Sequence, residues 1–329
     1  MARNFNILDE NTIQLPSGVF AGVESYACYP DGELEGIRLS EKNMLVTHVG
    51  ELVPAHTETH RRKVKYSIEF FKNGMVKAVS LDEQQEIQTP IGEFPAELVT
   101  FFETGELKRF FPLDGKITGL WSEEEEKNLA IPFAFDLPFT KFSAIITSVG
   151  FYKNGDIRSI TLFPGETITI KTAYGEIPAR NGFSLYESGE LESLEPLNNA
   201  QIKTPIGVIS AYDPGAVGVN ADSNSLMFDK SGRVTALVTA GNRIAVQTED
   251  GRFLTFAPRE VVNPLNNETM MTEGLAISFD YDEGTVTFNG DNGKSTFKVN
   301  GNGFTVIAYN ASVYMCSPED CASCSLGCK

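Results

Sequence analysis

Hydrophobic and polar residues alternate along most of the chain with a period of two. In "GDIRSITLF" (155–163), Ile157, Ser159 and Thr161 fall on one side of an extended chain. Arg158, Ile160 and Leu162 fall on the other. "VKYSIEFF" (64–71) and "ITIKT" (168–172) alternate in the same way. This is the period of a strand, not of a helix. The alternating runs are separated by "KNG", "DG" and "SG", where glycine supplies the positive φ of a tight hairpin turn. The pattern predicts an all-β protein of hairpins.

Two phrases recur among these runs. The first is aromatic-x-x-Gly-x-aliphatic: "YPDGEL" (Tyr29, Gly32), "FKNGMV" (Phe71, Gly74), "FETGEL" (Phe102, Gly105), "YKNGDI" (Tyr152, Gly155), "YESGEL" (Tyr186, Gly189) and "YDEGTV" (Tyr281, Gly284). "FDKSGRV" (Phe228, Gly232) reads as a variant with one extra residue. The second phrase is Thr-x-x-Gly followed by a hydrophobic residue, with glycines at Gly50, Gly92, Gly175, Gly207 and Gly251. From first-phrase to second-phrase glycine the steps are 18, 18, 20, 18 and 19 residues, which indicates one repeated module. A single hairpin module cannot bury its own apolar face, so neighbours must stack. The expected fold is tandem β-hairpin repeats in an elongated meander or solenoid-like array. It has a lead-in at 1–25, a repeat domain at 26–310 and a cysteine-rich tail at 311–329. The units are placed near 26–56, 65–97, 98–140, 141–180, 181–214, 223–258 and 275–310.

Two segments interrupt the repeat. The third unit lacks a clear second phrase and carries "WSEEEEKNLAIPFAFDLPFTKF" (121–142). Ser122 and Glu125 there form a capping box, which predicts one short helix near 122–130. Glu123 to Glu126 read as its solvated face, and Trp121 as a core or staple residue. The loop "AYDPGAVGVNADSNS" (211–225) is rich in Gly, Asp and Asn, and long loops on a rigid β scaffold are where function tends to reside.

The first phrase resembles the MORN-repeat-variant proteins of bacteria, whose units carry a tyrosine, an "xNG" turn and an aliphatic strand. The similarity covers one hairpin per unit over roughly residues 26 to 290. It implies an open-ended β-hairpin array used for protein interaction, and it transfers no catalytic residue. "TPIG" is not part of that family pattern.

Composition adds limits on function. With 329 residues and 41% hydrophobic content, the chain can build a core without disulfides. The net charge of −17 argues against nucleic acid or an anionic membrane surface as partner, since phosphate contacts need clustered Lys and Arg. It favours a basic partner or a cation. The single basic run, Arg61-Arg62-Lys63-Val64-Lys65, reads as a solvated strand end. The N-terminus has no apolar signal segment and no run reaches the ~18 apolar residues of a membrane helix. A cytoplasmic protein is expected, whose thiols stay reduced.

Candidate chemistry sits in two places. Cys316, Cys321, Cys324 and Cys328 follow the pattern C-x4-C-x2-C-x3-C in "CSPEDCASCSLGCK". Four thiolates suffice for Zn or a [4Fe–4S] cluster, and small turn-forming residues between them let a loop wrap an ion. An accessible thiol tail, or one that hands metal or sulfur to a partner, stands beside that reading. The second place is "HTETH": on a strand, His56, Glu58 and His60 would share one face and could hold Zn, Mn or Fe. The competing reading is a polar, solvent-facing strand with Thr57 and Thr59 turned inward. The third histidine, His48, lies nearby, and Cys28 reads as a buried apolar residue on a strand. No phosphate-binding glycine loop or nucleophile elbow occurs. The sequence therefore points to a binding or scaffold repeat protein with a protein partner and a four-cysteine metal site. A metalloenzyme built on His56, Glu58 and His60 is the alternative, and a pure interaction module with a disordered thiol tail is another.

Overall fold

The computed structural model of the chain describes residues 4–216, 220–263, 269–290 and 293–309. Cys316, Cys321, Cys324 and Cys328 lie outside the described residues. The protein is nearly all β, with strands paired antiparallel and, among the described residues, one short helix, Glu123–Lys127. Among the described residues the sheets do not close into a barrel. Two compact bodies form. One holds the described residues within Met1–Asn198 and Ala216–Thr235, the other those within Asn199–Gly215 and Ala236–Lys329.

In the first body a long antiparallel ladder runs, in order, through Val23–Cys28, Leu34–Leu39, Ile68–Phe70, Val76–Thr89, Gly92–Phe101 and Leu107–Phe111. It continues through Ile146–Phe151, Ile157–Leu162, Gly175–Leu185, Leu191–Pro196 and Leu226–Phe228. One row of cross-strand neighbours crosses it as Ile37, Ile68, Val79, Val99, Phe110, Val149, Ile160, Phe183, Leu194 and Leu226. Every member of that row has 0% exposure, so it is the spine of the core. The adjacent row on the opposite face is small or polar through Gly36, Glu69, Ala78, Thr100, Arg109, Gly150, Ser159, Ser184 and Ser193, and ends at Met227. The period-two pattern is thus the imprint of one face against the core and one face away from it.

The two phrases are two kinds of turn. In the first phrase the N–H of Tyr29, Phe71, Phe102, Tyr152 and Tyr186 donates to the carbonyl four residues on. The glycine three residues on donates back to the same aromatic residue. Glycine φ values of +81° to +101° allow this three-residue hairpin loop, and the register shifts beside it. The hydroxyls of Tyr29, Tyr152 and Tyr186 donate to the carbonyls of Phe70, Leu185 and Phe228, tying each unit to the next. In the variant phrase, Asp229 rather than Phe228 occupies the tyrosine slot, so no extra residue is present. Second-phrase turns are two-residue loops. Thr47, Thr89, Thr172 and Thr204 each donate a side-chain hydrogen bond to the glycine carbonyl three residues on. This explains the threonine in "TPIG". Thr248–Gly251 instead has the bonding of a first-phrase turn.

The second-phrase hairpins form a further layer. Their buried residues include Leu52, Ile87, Ile170 and Ile177. A β-carbon on Gly155 would sit 3.1 Å from Pro90, and one on Gly105 would sit 3.4 Å from His48. The second-phrase turns of the first two units therefore rest beside the first-phrase turns two units later. The insertion supplies the second hairpin that the third unit lacks, as the strands Phe133–Leu137 and Thr140–Ala144. The lead-in forms its own three-stranded sheet, Asn6–Asp9, Thr12–Leu15 and Gly18–Phe20.

The helix is shorter than 122–130, but its capping box is formed. The Glu125 N–H donates to the Ser122 hydroxyl, and the Ser122 N–H donates to the Glu125 carboxylate at 2.7 Å. Glu126 is not solvated: it is 4% exposed.

In the second body Leu275–Asp280 lies between residues 236–239 and Thr285–Gly290, and Thr285–Gly290 also pairs with Gly293–Lys298. A three-stranded sheet places Asn242–Gln247 between Phe253–Phe256 and Gly303–Ala308. Phe256 and Phe288 stack with centroids 4.6 Å apart.

Candidate functional site: a cationic groove

The segment from Val53 to Ser67 is not a strand; its single β contact is a bridge from Pro54 to Leu81. Asp82 replaces the expected pairing. Its carboxylate accepts the backbone N–H groups of His56 and Thr57, both at 2.8 Å, and the Thr57 hydroxyl at 3.0 Å. Burial pushes the Asp82 carboxyl up, and these hydrogen bonds outweigh it and leave its pKa lowered. Further along, the Arg38 guanidinium donates to the Val64 carbonyl at 2.7 Å. The Tyr66 ring lies where a side chain on Gly36 would stand, 2.6 Å from an added β-carbon. Ser67 completes the attachment, donating to the Ala55 carbonyl and accepting from the Leu39 N–H.

These anchors decide where each candidate residue goes. His56 turns to the Pro54 carbonyl (3.1 Å) and to Asp82 (3.3 Å). Glu58 and His60 are exposed, and Glu58 lies 3.8 Å from Arg38. The strand alternation that would align His56, Glu58 and His60 is absent, and Thr57 and Thr59 are exposed rather than turned inward. Among the described residues no group of three His, Cys, Asp or Glu side chains is placed to share a metal ion. His48 bonds through Nε2 to the Gly105 carbonyl. Cys28 is exposed, at the end of its strand, and is not part of the core.

The basic run divides. Arg61 is drawn inward and donates two bonds of 2.7 Å to Glu97 and bonds of 2.7 and 2.9 Å to Glu126. Glu126 also accepts from the Trp121 indole at 2.7 Å and the Gly115 N–H at 2.8 Å, and Glu97 accepts from the Asp114 N–H. Trp121 is thus neither core nor staple but a donor in an ionic cluster. Burial pushes the Glu126 carboxyl up, while Arg61 and Trp121 more than offset it and hold it below its ordinary range. Arg62 is 6% exposed and bonds to the carbonyls of Leu81 and Asp82. The run is therefore not a solvated strand end.

Lys63 and Lys65 are the exposed residues of the run. They line an open groove of about 840 Å³ with Glu24, Ser25, Arg38, Glu58, His60, Arg62 and residues 118–120. Lys65 lies 4.5 Å from the centre of the Tyr66 ring. Arg38 is shared between Glu24 and Glu58, each at 3.8 Å. Among the described residues no carboxylate forms an ion pair with Lys63 or Lys65. Tyr66, with smaller contributions from the Glu35 and Glu69 charges, holds the Lys65 pKa above its ordinary value. A clue was present in the order of the run: arginines come first and lysines last. Arginine suits buried bidentate pairing, whereas lysine keeps its charge hydrated.

No helix is long and apolar enough to cross a membrane among the described residues. No protein-family model matches the chain, and neither a curated protein nor a solved structure matches it.

Proposed function

We propose that the chain is a non-enzymatic binding module, a β-hairpin repeat scaffold that presents its cationic groove to a protein partner. One observation carries this reading. Two lysines without carboxylate partners face a groove whose walls are pinned to the sheet by Arg38, Tyr66, Ser67 and Asp82. Unpaired charge on a rigid wall needs no reorganisation to meet a partner, and that favours recognition. The resemblance of the first phrase to MORN-repeat-variant proteins agrees with an interaction role. Selection from a displayed peptide library tests it: peptides enriched on the native chain should be lost on the Lys63→Glu/Lys65→Glu variant. Equal enrichment on both chains would remove the groove from the reading.

A second reading rests on the spacing of Cys316, Cys321, Cys324 and Cys328. Four thiolates would hold Zn or a [4Fe–4S] cluster, as an addition to the binding role in a reducing, cytoplasmic setting. Metal and sulfide content of the anaerobically purified chain should drop on Cys321→Ser/Cys324→Ser. Metal content unchanged by that pair sinks the assignment.

A further inference from the structure

The groove lies against an unusual sheet edge. Among the described residues Val23–Cys28 is the outermost strand of the first body's ladder, paired with Leu34–Leu39; at its start the Val23 N–H is taken by the Asn11 carbonyl (2.8 Å), and the Tyr26 ring meets Phe5 at 5.9 Å. Glu24, Ser25, Tyr26 and Cys28 on it are exposed, and Glu24 and Ser25 belong to the groove wall. Free edges are normally guarded by lysine, proline or a disrupting bulge. The last strand of the second body's ladder, Gly293–Lys298, carries Lys294 and Lys298 in that role. "VESYAC" carries neither lysine nor proline; Glu24 and two register shifts are its guards, and between the shifts Ser25–Ala27 pairs regularly.

We infer that the groove docks an extended acidic segment of a partner protein, added as a further strand along Ser25–Cys28, with its carboxylates on Lys63 and Lys65. This rests on the binding-module reading and names the partner's chemistry. An added strand satisfies main-chain groups at the edge, and side chains on alternate positions supply specificity. Glu24 and Ser25 of this strand line the same groove as Lys63 and Lys65, which is what joins the edge to the two lysines. Glu24 and Glu58 lie 3.8 Å from Arg38, and among the described residues neither forms an ion pair with Lys63 or Lys65. The chain's net charge of −17 does not forbid an acidic partner. At about 0.1 M salt, charges more than about 10 Å away are largely screened, and the nearby lysines dominate.

The test uses the full chain and two fluorescein-labelled peptides of about eight residues, strand length. One alternates glutamate with valine; its twin has glutamine for each glutamate. Fluorescence anisotropy should show the glutamate peptide bound at least about tenfold more tightly than the twin, and weakening as salt rises. Lys63→Glu/Lys65→Glu, at exposed positions, should cost about tenfold or more and leave the unfolding midpoint in place. Hydrogen exchange should slow at residues 25–28 when the glutamate peptide is added. If the twin binds equally well, the acidic chemistry is wrong while a groove that binds peptides survives. Slowed exchange confined to other strands overturns the docking geometry. No binding of either peptide overturns the inference, and the library selection then judges the module reading separately.

Discussion

Two segments interrupt the repeat in the first body, and both are tied to the ladder by an arginine–carboxylate contact. Residues 112–127 are held by Arg61, residues 220–225 by Arg109. At Arg61 one guanidinium is shared by two carboxylates, Glu97 from the sheet and Glu126 from the inserted helix, with all four bonds between 2.7 and 2.9 Å. At Arg109 a single carboxylate, Asp222, accepts from the guanidinium and from the Ser159 hydroxyl at 2.5 Å. Hydroxyls do the rest there. Ser148 accepts from Arg109 at 2.9 Å, Thr161 accepts the Ala221 N–H at 3.0 Å, and Ser193 accepts from Asn224 at 2.7 Å. The first attachment is a buried ionic hub. The second is a polar strip on the sheet with a loop laid along it. A hub concentrates its stability in one residue, whereas a strip spreads it over many.

Removing the hub should therefore give the largest effect. Arg61→Met leaves Glu97 and Glu126, each 4% exposed, without their cation. Losing one partner of a buried ion pair typically costs about 3–5 kcal/mol. Urea unfolding should show that loss, and adding Glu97→Gln and Glu126→Gln should restore part of it. A loss under about 1 kcal/mol would mean that water reaches the cluster, and the contrast with the strip would vanish.

The strip depends on shape more than charge. Gly182 has φ +125°, and a β-carbon there would lie 2.0 Å from the Ile160 carbonyl oxygen and 2.8 Å from Ala221. It marks the point where the strand Gly175–Leu185 leaves its hairpin partner, Ile168–Thr172, and joins the main ladder. Gly182→Ala should cost about 1–3 kcal/mol, from backbone strain and overpacking together. It should also raise protease sensitivity at 220–225. If cleavage there is unchanged, the loop does not depend on close approach at Gly182.

Much of the ladder was legible in the sequence. Five residues past Gly32, Gly74, Gly105, Gly155 and Gly189 stand Ile37, Val79, Phe110, Ile160 and Leu194, all members of the buried spine. A local turn and a period of two suffice to place such residues. The Ser122–Glu125 box was legible for the same reason, since both partners lie within one turn. Longer-range contacts were hidden. Arg61 meets Glu97 and Glu126 at separations of 36 and 65 residues, so a run of five basic residues looked solvated. Asp82 draws the "HTETH" segment out of strand geometry from 26 residues away. Those two contacts help to hold the segment that walls the groove, and only the order of the basic run, arginines before lysines, hints at the first of them. The hairpin at 133–144 escaped notice because "LPFT" lacks the glycine that marks the other second-phrase turns.

The smallest effect expected separates the attachments by acid. Burial pushes the Asp222 carboxyl up, but the Ser159 hydrogen bond and the Arg109 charge outweigh it, so its folded pKa lies below the ordinary value of 3.8. A group with a depressed folded pKa stabilises fully above its unfolded value, and the contribution is lost as pH falls through the folded one. Asp222→Asn should therefore destabilise by about 1 kcal/mol at pH 7, a modest figure because the carboxylate is 27% exposed and partly screened. The deficit should hold constant down to about pH 5 and then shrink towards zero below pH 4, as the native carboxylate takes up its proton. Unfolding midpoints of the two chains, measured across that range, should converge. Parallel curves down to pH 3 would show that the Asp222 charge contributes nothing and that the hydroxyl network alone holds the loop on its strip.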